Sequence, residues 1–180
     1  VSNDFTKMLV MTSDGAVQLF SLQENRELGK FPRNVNAGIG ARFSPDGSHF
    51  IASADKNTLV VSPVQGSGSF VIRDEDMPVN AAVYSPDGTM IAVALANGMV
   101  RMYDADNGTL VDAYAVLPEP DDVIEALAYS PDGEALLAGS KKGYIFRWWL
   151  SDAVRGQMVP IQKTYEDTEL RKLAEILKDK

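Results

Sequence analysis

The tetrapeptide Ser-Pro-Asp-Gly occurs three times in this chain, at 44–47, 85–88 and 130–133, each time directly after an aromatic residue. The steps between the copies are 41 and 45 residues. A degenerate fourth copy, Ser-Asn-Asp-Phe, stands at 2–5. A recurring period of this length is the signature of a repeat architecture, in which every repeat forms one supersecondary unit.

A second turn follows each copy at a constant distance. The paired positions, ten residues apart in all four cases, are Phe5 and Gly15, Gly47 and Asn57, Gly88 and Gly98, and Gly133 and Gly143. Chance placement of turn residues would not hold this offset four times. The repeat is therefore a property of the fold rather than of the composition.

Each repeat predicts four strands. In Ser-Pro-Asp-Gly, Pro presets φ, Asp bonds back to the backbone and Gly supplies a positive φ, so the motif predicts a tight reversal. In the third repeat, residues 79–84 precede this turn, and the continuous apolar run at 90–96 is typical of a strand covered on both faces. An Asn-Gly turn leads into 99–103, and 109–116 closes the unit. Four antiparallel strands in this length predict the blade of a β-propeller.

This order of strands and turns resembles the WD-repeat family of β-propellers. The third strand ends in Tyr103-Asp104, where that family carries Trp-Asp. The resemblance covers residues 2 to about 150, and a related bacterial propeller repeat that also uses Ser-Pro-Asp-Gly implies the same architecture. The chain departs from the family in lacking its Gly-His pair, since His49 is the sole histidine.

We therefore expect an all-β propeller with blades at 1–34, 35–78, 79–121 and 122–154. The first repeat begins at its turn, so its first strand is missing. The resemblance implies rings of about seven or eight blades. Three explanations stay open: the chain is part of a larger propeller, a second chain closes the ring, or four blades close on themselves.

The last residues differ in kind. Residues 155–163 form a linker or an edge strand, because Pro160 would restrict any strand there to an edge. Residues 164–180 predict an amphipathic helix with Leu170, Leu173 and Leu177 on one stripe. A helix this short needs to dock, either on its own propeller or on a partner chain.

Two acidic loops are candidate protein-binding sites. They join the second blade to the third and the third to the fourth, and the topology places both on one rim. The residues are Asp74, Glu75, Asp76, Glu119, Asp121 and Asp122, with Asp14 and Asp55 added from nearby turns and Lys141-Lys142 as a basic interruption. The loops are either simply solvated or a docking patch for a basic protein segment.

Little else in the sequence indicates chemistry. One histidine without a nearby paired acid makes no catalytic relay, and the chain has no cysteine, so we expect no catalytic, cofactor or metal site. The net charge of −8 argues against nucleic acid as a ligand. No stretch approaches the ~20 apolar residues of a membrane helix. The sequence carries no signal that identifies the cellular compartment, and we expect an intracellular, cytoplasmic location.

The sequence thus predicts a non-catalytic protein-interaction scaffold that works as a subunit of a larger assembly. Its expected partners are proteins, including further propeller blades from the same or another chain. The alternative is an accessory or substrate-binding domain of a propeller-containing enzyme whose catalytic residues lie outside this segment.

Overall fold

The strands of this protein follow the repeat. The structure is a computed structural model that describes residues 1–13, 15–31, 39–74, 77–115 and 122–150, together with the backbone of 158–161. Within these ranges the chain is all-β, and its strands form four separate antiparallel sheets in which sequence neighbours pair. The predicted fold class of antiparallel blades is confirmed, whereas the predicted helix at 164–180 lies outside the described residues.

Each sheet is one blade. Blade 1 contains β1 (Lys7–Met11), β2 (Val17–Ser21) and β3 (Arg26–Phe31). Blade 2 contains β4 (Ala41–Phe43), β5 (His49–Asp55), β6 (Thr58–Pro63) and β7 (Phe70–Arg73). Blade 3 contains β8 (Val79–Tyr84), β9 (Met90–Leu95), β10 (Met99–Asp104) and β11 (Leu110–Ala115). Blade 4 contains β12 (Ile124–Tyr129), β13 (Ala135–Ser140), β14 (Ile145–Trp149) and β15 (Met158–Ile161).

The Ser-Pro-Asp-Gly turns form as the motif predicts. In blade 3 the Gly88 N–H donates to the Ser85 carbonyl at 2.9 Å, and Gly88 has a φ of 77°. The decayed copy closes in the same way, with the Phe5 N–H donating to the Ser2 carbonyl at 3.0 Å. Phe5 takes the glycine position with a φ of 56°. The degenerate copy at 2–5 is therefore equivalent to the other three turns in structure as well as in sequence.

The core lies between blades. Ile91, Val93 and Leu95 of β9 pack with the apolar residues of blade 2, while Ala92 and Ala94 of the same strand pack with blade 4. All five side chains are fully buried. Successive side chains of a strand point to opposite faces, so a strand with a neighbour on each side is apolar throughout. This explains the continuous apolar runs in the sequence.

Among the described residues blade 1 has three strands, as expected from its missing first strand. β1 is the terminal strand of its sheet. Its Met8 and Val10 are only partly buried, although the equivalent residues of β5, Phe50 and Ala52, are 1% and 0% exposed. Because no blade precedes β1 in the described chain, this face and this strand edge stay open.

Blade 4 is the last blade that the structure describes, and the face that points away from blade 3 is open. Ile145 is 48% exposed, whereas Val100, its equivalent in blade 3, is fully buried against blade 4. The sequence predicts either a linker or an edge strand at 155–163. Within that range, residues 158–161 form the outermost strand of blade 4 by pairing with β14. Pro160 therefore sits on a sheet edge, the position that a strand proline tolerates.

Candidate protein-interaction surfaces

Asp74, from the first predicted acidic loop, lies inside the structure. Its side chain is 4% exposed and forms an ion pair with Arg101 on β10 of the following blade. Its Oδ1 accepts the Met77 N–H at 3.0 Å, and its own N–H donates to the Asn57 carbonyl at 3.0 Å. The carboxylate thus connects the loop between blades 2 and 3 to a central strand of blade 3.

Asp122, from the second acidic loop, is also buried, at 2% exposure. Its Oδ1 accepts the N–H groups of Val123 at 2.9 Å and Lys142 at 3.0 Å. Burial raises the pKa of this carboxyl, but hydrogen bonds from Ser140 and from the Lys142 backbone outweigh it, so the net pKa is lowered. Asp122 is an ionised side chain that ties the loop to the turn between β13 and β14.

The other predicted docking residues lie outside the described residues: Asp14, Glu75, Asp76, Glu119, Asp121, Leu170, Leu173 and Leu177. Asp55 is exposed in its turn and accepts the Asn57 N–H at 2.8 Å. Lys141 and Lys142 are exposed as well. The docking roles of the acidic loops and of the leucine stripe stay predictions. The carboxylates of Asp74 and Asp122 are buried and bind groups of this same chain, so their contacts stabilise the fold.

Blades 1 and 4 each leave one face open in the described chain, and sequence reasoning did not name the residues of these two faces. On blade 1 the face contains Met8, Val10, Gln18 and Phe20, which are all partly exposed. Aligning the repeats could have identified this face, because the equivalents of Met8 and Val10 in blades 2 and 3 are apolar and buried.

The open face of blade 4 has a different chemistry. Leu137 and Arg147 are cross-strand partners there, and the Arg147 guanidinium carbon lies 4.4 Å from the centre of the Trp149 ring. Trp148, on the other face of β14, is buried against blade 3. The two adjacent tryptophans therefore face opposite ways, as period-2 geometry requires, and the open face carries a cation on an aromatic ring.

A cavity of about 210 Å³ lies between blades 3 and 4, near the Ser-Pro-Asp-Gly turns of both. Asp112 and Tyr114 of β11 line it, opposite Tyr129 of β12. The Tyr114 hydroxyl donates to Asp112 Oδ2 at 2.7 Å. Sequence reasoning also missed this cavity, although the aspartate within an outer strand was a signal that could have pointed to it.

Catalytic groups do not assemble in the described ranges. His49 is exposed, and its Nδ1 lies 2.8 Å from the hydroxyl of the adjacent Ser48. Among the residues with described positions, no three His, Cys, Asp or Glu side chains come together as a metal site. The described residues also contain no helix with the length and hydropathy needed to cross a membrane.

Comparison with known proteins points to one kind of fold. Residues 41–120 match the family described as the anaphase-promoting complex subunit 4 WD40 domain. The chain is 26% identical over 147 residues to the mouse (Mus musculus) WD repeat and HMG-box DNA-binding protein 1, an alignment that covers 73% of this chain and 12% of that protein. It is 32% identical over 114 residues to the Drosophila melanogaster protein LST8 homolog, covering 61% of this chain and 34% of that protein.

Solved structures agree at the level of the fold. The β-propeller domain of Cps50 (Swd1) from Myceliophteria thermophila superposes with a TM-score of 0.72 at 16% identity. That superposition covers 88% of this chain and 56% of that one. Kluyveromyces lactis Hsv2 gives a TM-score of 0.70 at 17% identity, covering 82% of this chain and 46% of that one. The described blades thus correspond to about half of each of these solved chains.

Proposed function

We propose that this chain, which is a partial WD-repeat β-propeller, is a non-catalytic protein-interaction scaffold and a subunit of a larger assembly. The observation that carries the proposal is the pair of open blade faces. Apolar positions that are buried between blades elsewhere in the described chain are partly exposed on blade 1, at Met8 and Val10, and exposed on blade 4, at Ile145. Apolar surface of this kind is typical of protein interfaces.

The strand edge of blade 1 adds to this argument. The backbone donors and acceptors on one side of β1 have no neighbouring strand in the described chain. Unpaired edges recruit further strands, and strand addition is a common mode of protein recognition. The completing surface is further propeller blades, from the same longer chain or from a second one.

The acidic loops supply the finer part of the proposal, a preference for a basic protein segment over nucleic acid. With a net charge of −8, the chain would repel a phosphate backbone and attract a basic partner. Reversing Glu75, Asp76, Glu119 and Asp121 to lysine is expected to weaken partner binding and to reduce its salt dependence. Asp74 and Asp122 stay unchanged in this variant because they are buried.

Site-specific cross-linking in a native extract tests the scaffold role. A photoreactive side chain at Phe20 on blade 1 and another at Ile145 on blade 4 are expected to cross-link to other propeller blades or to a partner protein. The same group at Asp106, an exposed turn residue, serves as the control and is expected to give no specific product. Absence of specific cross-links from both open faces would contradict the proposal.

A further inference from the structure

The cavity between blades 3 and 4 differs from the equivalent space between blades 2 and 3. In blade 2, Phe70 pairs with Val61; in blade 3, Asp112 pairs with Met102, the residue 41 positions after Val61. Phe70 and Asp112 therefore occupy the same place in their blades.

Phe70 fills its interface tightly. It packs against the apolar cluster that joins blades 2 and 3. A methyl group placed on Gly108, in the adjoining turn of blade 3, would lie 2.8 Å from the Phe70 ring, closer than van der Waals contact permits. Asp112 puts a shorter, charged side chain at the corresponding position, and the cavity of about 210 Å³ is found there.

The cavity is negatively charged. Asp87 and Asp132, from the turns of blades 3 and 4, line it together with Asp112. Hydrogen bonds from the Ser85 and Ser130 hydroxyls, each at 2.5 Å, lower the pKa of Asp87 and Asp132 respectively, so both are ionised at neutral pH. None of the described residues that line the cavity is a lysine, arginine or histidine.

The rest of the wall is mainly apolar and aromatic. Beside Ser85, Thr89 and Gly133 of the turns, it consists of Met90, Met102, Val111 and Leu150 and the rings of Tyr114 and Tyr129. A lysine or arginine side chain matches this combination, because its stem packs on apolar groups while its cation seeks carboxylates or an aromatic ring.

Two observations restrict the chemical class and the size of the ligand further. The carboxylates are not grouped as a metal site in the described structure, which favours an organic cation over a bare metal ion. The volume is also below the roughly 300–1,000 Å³ of sites for cofactors and drug-sized ligands, which favours a single side chain.

We propose that this cavity binds the lysine or arginine side chain of a partner protein. The proposal rests on the scaffold function for the identity of the partner, but it places the contact away from the acidic loops, beside the Ser-Pro-Asp-Gly turns. Asp112 is the specificity-determining residue, because it introduces a carboxylate where the preceding interface has a phenyl ring.

Methionine-methyl NMR of the full chain, in whatever assembly it forms, tests the site directly. The probe is n-butylammonium, the cationic end of a lysine side chain, and n-butanol is its neutral control of similar size. We expect saturable shifts of the Met90 and Met102 methyl signals with n-butylammonium. The methyl signals of Met8 and Met11, in blade 1, should not respond.

Two substitutions sharpen the result. Asp112→Asn, which keeps the shape and removes the charge, is expected to weaken n-butylammonium binding by about tenfold or more. Asp112→Phe, which copies blade 2, should abolish binding without lowering the thermal stability. Asp106→Asn, at an exposed turn position, is the matched control and should bind as the unmodified chain does.

Equal responses to n-butylammonium and n-butanol, or unchanged binding in Asp112→Asn, would overturn the cation site. Neither result would affect the scaffold function, which depends on the cross-links from the open blade faces. Conversely, saturable binding that depends on Asp112 would support the site even if those cross-links were absent.

Discussion

One hydrogen-bond pattern recurs in the turns that define the repeat. In blade 3 the Ser85 hydroxyl donates to Asp87 Oδ1 at 2.5 Å, and the Thr89 N–H donates to the same oxygen at 3.1 Å. In blade 1 the Ser2 hydroxyl donates to Asp4 Oδ1 at 2.6 Å and the Thr6 N–H at 3.0 Å. The serine and aspartate therefore carry the pattern, because it persists where the proline and glycine have been lost.

Gly88 and Phe5 offer a matched test of backbone strain. Gly88→Ala is expected to lower the free energy of unfolding by about 1–2 kcal/mol, because a side chain at positive φ is strained. Steric contact adds little, since the new methyl group would be 3.7 Å from Pro45. Phe5→Ala should change stability by less than about 0.5 kcal/mol, because Phe5 already bears this strain and is 77% exposed. Denaturant unfolding measures both, and equal losses would contradict the alignment of the two turns.

The turn carboxylates also predict a pH dependence. Hydrogen bonds from the Ser44 hydroxyl, followed by those from Ser48, lower the pKa of Asp46 to about 2. Since the folded-state pKa lies below the unfolded one, of about 3.9, this contribution is present above pH 4 and is lost as the pH falls through 2.

Asp46→Asn is therefore expected to reduce stability at pH 7 and to have little effect near pH 2. The loss should stay below about 1 kcal/mol because the carboxylate is solvent-screened. Thermal melts at both pH values measure it, with Asp106→Asn as the control. A loss of the same size at both values would show that the charge of Asp46 is not responsible.

Strand positions were predictable from the sequence because each depends on a local turn. The expected strands at 79–84 and 90–96 are β8 and β9 to within one residue. The burial of the two loop aspartates was not predictable, because the partners are distant along the chain: Arg101 lies 27 residues from Asp74, and Lys142 lies 20 residues from Asp122. The cavity at Asp112 likewise requires knowing which residues face each other across two sheets.

The Asp74–Arg101 ion pair is expected to stabilise the connection between blades 2 and 3. Asp74→Ala is expected to cost about 2 kcal/mol, because it leaves the partly buried Arg101 without its carboxylate. Asp106→Ala, in an exposed turn of blade 3, should stay within about 0.5 kcal/mol. Urea unfolding followed by tryptophan fluorescence measures both. Similar small effects would mean that the ion pair adds no net stability.

The described blades form an open series with an exposed face at each end. Blades 2 and 3 each bury apolar side chains against a blade on either side, whereas blades 1 and 4 do so on one side. We therefore predict that the isolated 180 residues do not persist as a monodisperse monomer.

Substitutions at Val10 and Val93 distinguish association through the open face of blade 1 from aggregation of misfolded chains. They are equivalent positions in blades 1 and 3, but Val93 is fully buried and Val10 is not. Val10→Lys is expected to keep the circular dichroism spectrum and to reduce association in light scattering, whereas Val93→Lys should prevent folding. A cooperative, well-dispersed monomer of the unmodified chain would show that its four blades close into a ring by themselves.

The sharing of β9 between two neighbours has a consequence for cooperativity. Alternate residues of β9 belong to two different apolar clusters, and each cluster is shared by two neighbouring blades. A blade therefore has no apolar core of its own, and the stability of the molecule comes from the packed interfaces between blades, here called junctions. An arc has one junction fewer than it has blades, whereas a closed ring has equal numbers of both. The last blade to join therefore adds two junctions at once, and nearest-neighbour coupling of this kind makes closure the most stabilising single step of assembly.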